Sequence, residues 1–328
     1  MSKLSDPRTM LETISRYDFD FHKKFGQNFL VDEGVILRSL KAAQVGRNDV
    51  IFEIGPGVGT LTQYLAEAAR QVISIEIDKK LIPILEDTLR GYDNVKVINE
   101  DVLKVDLVSL AQQYHAGRTS IRSAGSDGTG STDAGSVSGA GSDSIGSAGT
   151  PGESVSASAV RHPLRIVANL PYYITTPILM NLFRQRVPAQ SITVMVQKEV
   201  ADRMCAQPGN KDYGSLSVAV QYYSAPRIVE LVPPSSFIPH PKVTSAIVTM
   251  ELYEEPPVKA RDEALFDHIV RAAFEQRRKT LTNALSSSPQ VPCTKEQIAD
   301  ALAQLGFSPS VRGEKLSVAE FVSLSDRL

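Results

Sequence analysis

Short apolar runs recur along the first two thirds of the chain, and stretches with helical periodicity separate most of them. Each run is four or five residues long, as buried strands of a parallel sheet are. The runs occupy residues 50–54, 72–76, 95–98, 165–168 and 192–196. Helix-like stretches between them include 61–69 and 79–89. The alternation predicts an α/β fold in which helices cover both faces of a parallel sheet.

The pattern changes in the last third of the chain. Residues 227–232 and 246–252 look like strands, but no full crossover helix separates them, which favours an antiparallel hairpin at the sheet edge. Helical periodicity follows over 264–285 and 295–305, and Ser317 to Glu320 form a capping box that opens a third helix. We therefore predict a small all-helical domain after the α/β domain.

One internal segment and the overall composition limit the kinds of function to consider. Ser, Gly, Ala and Thr dominate residues 119–158, so this stretch cannot bury enough surface to order itself, and we predict a disordered insertion.

No apolar run reaches the ~18 residues that span a bilayer. Two cysteines and five scattered histidines predict neither a disulfide framework nor a metal site, and favour the cytoplasm. The net charge of −2 gives nucleic-acid binding no general support, so such binding would need a local patch.

A glycine-rich turn follows the first strand. Gly55, Gly57 and Gly59 stand where that strand ends and a helix begins, and glycines there let the backbone approach a ligand closely. Such turns serve nicotinamide dinucleotides as well, although the spacing here is Gly-x-Gly-x-Gly. An ordinary tight turn is a third interpretation.

Acidic residues end the next two strands. Glu76 ends the second strand about twenty residues after the glycines, where a carboxylate can accept both ribose hydroxyls. Glu100 and Asp101 end the third strand, where an acceptor could bind the adenine amino group. Because the carboxyl ends of parallel strands meet at one edge, the set predicts a nucleotide-type cofactor. The glycine spacing and the next motif favour S-adenosylmethionine over NAD.

The predicted reaction centre, Asn169-Leu170-Pro171-Tyr172, directly follows the fourth strand. The amino nitrogen of adenine is a poor nucleophile because its lone pair is delocalised into the ring. Oxygen acceptors from Asn169 and the Leu170 carbonyl could shift this nitrogen toward tetrahedral geometry, Pro171 would fix the turn, and Tyr172 could stack on the base. An ordinary turn explains the Thr-Pro pair that opens the next helix, but not this cluster.

A second aromatic residue would complete a clamp for a base taken out of its stack. Phe237, in the proline-rich loop before the last strand, is the candidate. The alternative interpretation is that Phe237 is a hydrophobic plug for the hairpin.

These motifs resemble those of the ribosomal RNA adenine N6-dimethyltransferase family, in its bacterial small-subunit branch. The similarity covers nearly everything except the first twenty residues and the Ser/Gly segment. Its further motifs are Lys24 to Asp32, Gln197 to Ala201, Arg203, Ser236 to Val243, Arg277 to Leu281 and Arg312 to Leu316.

The resemblance implies a doubly wound, seven-stranded class I methyltransferase sheet with a small helical C-terminal domain. Its implied domains are an extension at 1–20, a methyltransferase domain at 21–255 interrupted at about 116–160, and a helical domain at 256–328. The implied contacts to S-adenosylmethionine come from Asn28, Leu30, Gly55, Glu76, Asp101 and Asn169. The implied substrate is a pair of adjacent adenosines in a hairpin loop near the 3′ end of 16S rRNA, within the small ribosomal subunit or its precursor. A monomer without membrane association is expected.

Basic residues provide candidate contacts to RNA phosphates. Four of them, Arg271, Arg277, Arg278 and Lys279, are predicted to lie on the first C-terminal helix. The other two, Lys23 and Lys24, are predicted to lie near the cofactor. For each of them, a solvated charged surface is the alternative.

Three other functions stay open from the sequence. One is a 23S rRNA adenine methylase of the antibiotic-resistance type, which the full helical domain and the Phe237 loop disfavour. Another is a non-catalytic ribosome-assembly factor, which the intact acids and Asn169 disfavour. The third is a nicotinamide oxidoreductase.

Overall fold

The computed structural model describes residues 3–19, 27–115 and 162–328. Its strands, in chain order, are β1 (Phe29–Leu30), β2 (Val50–Ile54), β3 (Gln71–Glu76), β4 (Val95–Asn99), β5 (Leu164–Asn169), β6 (Ser191–Gln197), β7 (Ser224–Val232), β8 (Phe237–Ile238) and β9 (Ser245–Leu252). Its α-helices are α1 (Pro7–Arg16), α2 (Glu33–Ala42), α3 (Thr60–Ala68), α4 (Ile82–Thr88), α5 (Leu107–His115), α6 (Thr175–Arg184), α7 (Lys198–Cys205), α8 (Ser215–Tyr223), α9 (Glu263–Glu275), α10 (Leu281–Ser286), α11 (Lys295–Gln304) and α12 (Val318–Ser325).

Seven strands form the main sheet, in the order β4-β3-β2-β5-β6-β9-β7. β2 to β6 run parallel, whereas β9 pairs antiparallel with both β6 and β7. The order reverses direction at β2 and β5, so ligands are expected outside the carboxyl ends of these strands. The predicted doubly wound seven-stranded fold is confirmed, and so is the antiparallel pair at its edge.

Alternate residues of the strands pack on opposite faces of the sheet. Phe52 belongs to a core with α5 and α6, while its neighbour Ile51 belongs to a core with α2 and α3. Both faces are therefore covered, which explains why apolar residues occupy consecutive positions in these strands.

The helical C-terminal region has a core of its own, to which α8 also contributes. Tyr213 and Tyr222 are buried against Phe266 and Phe321 of this region. Ser317 and Glu320 form the predicted capping box at the start of α12.

The helix predicted over 264–285 is wrong in its middle, because α9 ends at Glu275 and α10 begins at Leu281. Gln276 leaves helical geometry, and the Thr280 hydroxyl caps the new helix by accepting from the Asn283 amide. An N-cap of this kind stabilises a new helix that begins after Thr280, and it does not stabilise a continuous helix through this position. Arg277, Arg278 and Lys279 consequently lie in a turn, and only Arg271 lies on α9.

The N-terminal helix packs on the α/β domain. Leu4, Met10 and Ile14 are buried in one cluster with Leu85 and Phe29. The ring of Phe19 lies 6.2 Å from that of Phe29, centroid to centroid. Residues 3–19 thus pack beside the segment that contains β1.

The predicted insertion at 116–160 lies outside the described residues, but the chain that follows it can be placed. The amide of Val50 donates to the Pro163 carbonyl at 2.8 Å, and Val50 is in register with Leu164. Both residues begin their strands, so the chain re-enters the sheet at its amino edge. The ligand edge is the opposite one.

We expect that replacing residues 120–158 with a short Gly-Ser linker leaves the rate of methylation within about twofold, because the chain re-enters the sheet at the edge opposite the pocket. Steady-state assays of both proteins on the same RNA substrate would measure this. A tenfold or greater loss of kcat in a variant that still unfolds cooperatively would contradict it.

Candidate active site

One pocket opens at the carboxyl edge of the sheet. Residues after β2, β3, β4 and β5 line it, and residues 27–30, named here the strap, form one side. Asn28, Leu30, Gly55, Glu76, Asp101 and Asn169 all line this pocket, as do Leu170, Pro171 and Tyr172. The structure therefore brings together every residue predicted to touch the cofactor and four of the five predicted at the reaction centre.

The glycine turn forms the floor of the pocket, and two of its glycines cannot be replaced without strain. Gly55 has φ +71° and donates its amide to the Ile75 carbonyl at 3.0 Å. Gly57 has φ +61°, and a Cβ there would lie 2.8 Å from the ring of Phe29. Glycine is needed at both positions for the left-handed backbone, and at Gly57 also for the close approach of the strap.

Glu76 has the properties expected of a ribose-binding carboxylate. It is buried, and its two oxygens accept from the amides of Gly57 (3.3 Å) and Asp78 (2.8 Å). These bonds fix the carboxylate, and each oxygen keeps a lone pair for a further donor. Burial raises the pKa of Glu76 to about 7. A diol that donates two hydrogen bonds would favour the charged form, so this group fits the ribose of S-adenosylmethionine.

Asp101 lies half-buried beyond the end of β4. Its Oδ1 accepts from the Leu103 amide at 3.0 Å and so closes the turn after the strand. Oδ2 has no hydrogen bond within the described residues and is left as an acceptor at the pocket. An amino group of a purine is a suitable donor for it.

Asn169 connects the end of β5 to the strap. Its Nδ2 donates to the Asn28 carbonyl at 3.1 Å, and its Oδ1 accepts no hydrogen bond from the residues that the structure describes. The Leu170 amide donates to the Met195 carbonyl, and the Leu170 carbonyl accepts no hydrogen bond from the described chain. Two acceptor oxygens therefore come from consecutive residues, as predicted for binding an amino group.

Tyr172 is held from the other side of β5. Its hydroxyl lies 2.6 Å from Oγ of Ser245, the first residue of β9. This bond fixes the half-buried ring beside the two acceptors, which is the position a stacking partner for a base requires.

Phe237 does not join Tyr172 in this structure. Its ring is 0% exposed and belongs to the core with Val35 and Ile247, and it does not line the pocket. Strand β8 pairs with β1, with Phe237 in register with Leu30. In this structure the ring packs as the alternative interpretation, a hydrophobic plug, expects, because strand pairing with the strap turns it into the core. Stacking of Phe237 on a base stays a prediction.

Three residues that support the site are not evident from the sequence. Phe29 covers Gly57, Gln27 donates to Asp78 Oδ2 at 2.9 Å, and Ser245 binds Tyr172. Each contact joins parts of the chain more than 25 residues apart. No local spacing signals such contacts, although the resemblance had placed the strap at the cofactor.

Comparisons with known proteins agree with this geometry. The sequence profile of the ribosomal RNA adenine dimethylase family matches residues 18–328. The chain belongs to this family. Its enzyme class is therefore confirmed, its methyl donor is S-adenosylmethionine, and the nicotinamide alternative does not fit.

Curated relatives match over the full length. The chain is 46% identical to the ribosomal RNA small subunit methyltransferase A of Lachnoclostridium phytofermentans, over 99% of this chain and 98% of the relative. The protein of the same name from Geobacillus thermodenitrificans is 42% identical, over 99% and 97%.

Solved structures with the same fold include two RNA methyltransferases. A dimethyladenosine transferase from Plasmodium falciparum superposes with a TM-score of 0.64 at 24% identity, covering 90% of this chain and 95% of that one. The 23S rRNA methyltransferase ErmE gives a TM-score of 0.58 at 24% identity, covering 92% and 99%. At 24% identity, these two similarities support the fold alone and not a shared substrate.

The predicted RNA contacts of this adenine dimethylase have different surroundings. Arg277 donates to the carbonyls of Lys211 (2.9 Å) and Tyr213 (3.0 Å), so its guanidinium holds the turn against the loop before α8. Arg278 and Lys279 are exposed in the same turn, and Arg271 is exposed on α9. Lys23 and Lys24 lie outside the described residues. Arg277 is exposed as well, so contacts to RNA from all four of these arginine and lysine residues stay predictions, as do those from Lys23 and Lys24.

Glu53 is a buried acid beneath the glycine turn. Its Oε2 accepts from the hydroxyls of Thr62 and Ser74, both at 2.7 Å, and so joins β2 to α3 and β3. Its Oε1 has no partner within the described residues. Burial raises the pKa of Glu53 to about 7, and the nearby charge of Glu76 acts in the same direction.

The raised pKa of Glu53 predicts a stability that depends on pH. Between its ordinary value of 4.5 and about 7, the folded state holds a proton that the unfolded chain has lost. The stability linked to this proton is complete below about pH 4.5 and is lost as pH rises through 7. Glu53→Gln cannot titrate, so we expect its free energy of unfolding, relative to the parent, to rise by about 2 to 3 kcal/mol from pH 5 to pH 8.

Urea unfolding at both pH values measures this change, with Glu67→Gln on the exposed side of α3 as the matched control. A difference between parent and Glu53→Gln that stays constant over this range would show that Glu53 is ionised throughout.

The described parts of the chain offer neither a membrane-crossing helix nor a cluster of three or more residues suited to bind a metal.

Proposed function

We propose that this protein transfers methyl groups from S-adenosylmethionine to N6 of two adjacent adenosines in a hairpin loop near the 3′ end of 16S rRNA, giving N6-dimethyladenosines. The observation that carries the proposal is full-length similarity, at 41–46% identity, to proteins named ribosomal RNA small subunit methyltransferase A. The substrate is the small ribosomal subunit or its precursor, the protein acts as a monomer, and this substrate places it in the cytoplasm.

The pocket supplies acceptors for the cofactor at Glu76 and Asp101, and separate acceptors for the base at Asn169 and Leu170. Glu76 accepts hydrogen bonds from the ribose of the cofactor, and Asp101 accepts one from its purine. The glycines of the turn have no side chains, so the cofactor can lie close to the backbone there. S-adenosylmethionine supplies an electrophilic methyl group on a sulfonium when it is bound. The strap is fixed by Asn169 and by the packing of its own Phe29 on Gly57, and it covers the pocket and excludes water.

Asn169 and Leu170 act on the amino group of adenine. Their two oxygens accept hydrogen bonds from its two amino hydrogens, which draws the nitrogen lone pair out of the ring. Tyr172 holds the plane of the base by stacking. Positioning and fixed dipoles thus lower the barrier, and the proton leaves the nitrogen after transfer without a strong general base.

Two other functions are separable from this one. ErmE shows that the same fold can serve a 23S rRNA methyltransferase, and an assembly factor could use RNA binding alone. The small-subunit proposal is favoured because the full-length relatives carry that name.

The test is methyl transfer from labelled S-adenosylmethionine to unmethylated small subunits, with large subunits as the matched substrate. We expect label on small subunits, recovered as dimethyladenosine after digestion. Label on large subunits alone would support the 23S alternative. Absence of label from both would support the assembly factor.

A further inference from the structure

Two large side chains are exposed at the mouth of the pocket. Tyr173 is 52% exposed and Ile77 is 43% exposed, and both line the pocket. An aromatic ring that stays exposed beside an apolar pocket has lost part of the stabilisation that burial gives, which is typical of a surface that a ligand covers. The proposed mechanism gives Tyr173 no role.

The consecutive tyrosines serve opposite sides of β5. The hydroxyl of Tyr172 bonds to Ser245 on β9, which lies beyond β6 in the sheet. Tyr173 lines the pocket together with Asp101 and Glu76, which follow β4 and end β3 on the other side of β5. Tyr172 is therefore anchored towards β9, whereas Tyr173 has no such anchor among the described residues and shares the pocket with the carboxylates proposed to bind the cofactor.

Helix α6 follows Tyr173 in the chain and is bonded to the segment after β4. Asn181 Nδ2 donates to the Val102 carbonyl at 3.3 Å, and Gln185 Nε2 donates to the Val105 carbonyl at 3.1 Å. The Leu107 amide in turn donates to Gln185 Oε1 at 2.9 Å. These bonds fasten the far end of α6 to the chain after β4, while the turn that precedes α6 contributes Tyr173 to the pocket.

The titration of Tyr173 agrees with this position. Burial, together with the negative charges of Asp101 and Glu76, raises the pKa of its hydroxyl. The group therefore stays neutral near pH 7 and can donate a hydrogen bond to an acceptor at the mouth.

We propose that Tyr173 closes the pocket over the purine of S-adenosylmethionine, as a cofactor-binding residue distinct from Tyr172. The inference rests on the proposed function only in its cofactor. A ring stacked on a purine, or against its edge, contributes enough that its loss is expected to weaken binding about tenfold. Tyr173→Phe keeps the ring and should lose less than threefold.

Fluorescence can test the position of this ring directly, because the chain contains no tryptophan. Tyr173→Trp places the sole tryptophan at the mouth of the pocket. Tyr253→Trp places it at a 37% exposed tyrosine that does not line the pocket, as a matched control. Acrylamide quenching is then measured with and without S-adenosylhomocysteine, which binds without turnover. We expect the ligand to lower the quenching constant at least twofold in Tyr173→Trp and to leave Tyr253→Trp unchanged.

Calorimetry supplies the second readout. Tyr173→Ala should bind S-adenosylhomocysteine about tenfold more weakly than the parent, and Tyr253→Ala should bind it equally well. Unchanged quenching and unchanged affinity at Tyr173 would overturn the inference, as would protection by small subunits but not by S-adenosylhomocysteine. If the parent itself does not bind S-adenosylhomocysteine, the proposed function fails; if the parent binds and only the Tyr173 effects are missing, this inference alone fails.

Discussion

Replacing Asn169 with alanine should lower the rate constant of methyl transfer by about 10²- to 10³-fold, the usual cost of removing one fixed dipole at a reacting group. The side chain has two roles in the site. Its Oδ1 is one of two acceptors for the amino group of adenine, and its Nδ2 holds the strap through the Asn28 carbonyl. Single-turnover measurements at saturating S-adenosylmethionine separate the first role from the second, because saturation compensates for a weakened strap.

Asn181→Ala is the matched control for this variant. Asn181 also donates its Nδ2 to a backbone carbonyl, that of Val102, but it does not line the pocket. We expect a change of less than fivefold in the single-turnover rate. If Asn169→Ala had the parental single-turnover rate at saturating cofactor, Asn169 would anchor the strap and would not act as an acceptor for the base.

Replacing Phe237 with alanine should lower the free energy of unfolding by about 3–5 kcal/mol, because a fully buried ring leaves a cavity. Phe237→Leu retains most of the packing and should cost roughly half as much. Urea unfolding measures both. The strap should also loosen, since β8 pairs with β1 through Phe237 and Leu30.

The clamp predicted from the sequence leads to the opposite pattern for Phe237→Ala. A ring that only stacks on a base would leave the free energy of unfolding unchanged while the rate of transfer fell. If Phe237→Ala were as stable as the parent but had a hundredfold lower single-turnover rate, the result would support the clamp and contradict the buried position of the ring.

The sheet and the ligand edge were predictable because their signals are local. Phe52 and Ile51 lie in runs that are apolar on both faces, and Gly55, Glu76 and Asn169 stand at the point where such runs end. Parallel strands bring their carboxyl ends together, so the place of each residue in its run is enough to collect these residues around one pocket.

Long-range pairing was not predictable in the same way. The position of Phe237 depends on Leu30, more than two hundred residues earlier, and nothing in the proline-rich loop signals that pair. Arg277 was mistaken for a residue on a helix because its periodicity continues that of α9, whereas its bonds to the Lys211 and Tyr213 carbonyls depend on the tertiary fold.

The strap was placed at the cofactor by resemblance alone, and the structure supplies its physical reason. Phe29 packs on Gly57, and the Asn28 carbonyl accepts from Asn169. Those two contacts join the segment to the glycine turn and to the reaction centre at once.

We expect this site to methylate two adjacent small-subunit adenosines. The most direct test expresses the chain in bacteria that lack their own enzyme of this kind and maps blocks to reverse transcription along the 16S rRNA, since dimethylation at N6 prevents base pairing. We expect two adjacent blocks in the 3′-terminal hairpin loop with the parent, and none with Asn169→Ala. Blocks at adenosines of the 23S rRNA, or an unblocked 3′ hairpin in the presence of folded parent protein, would contradict the account.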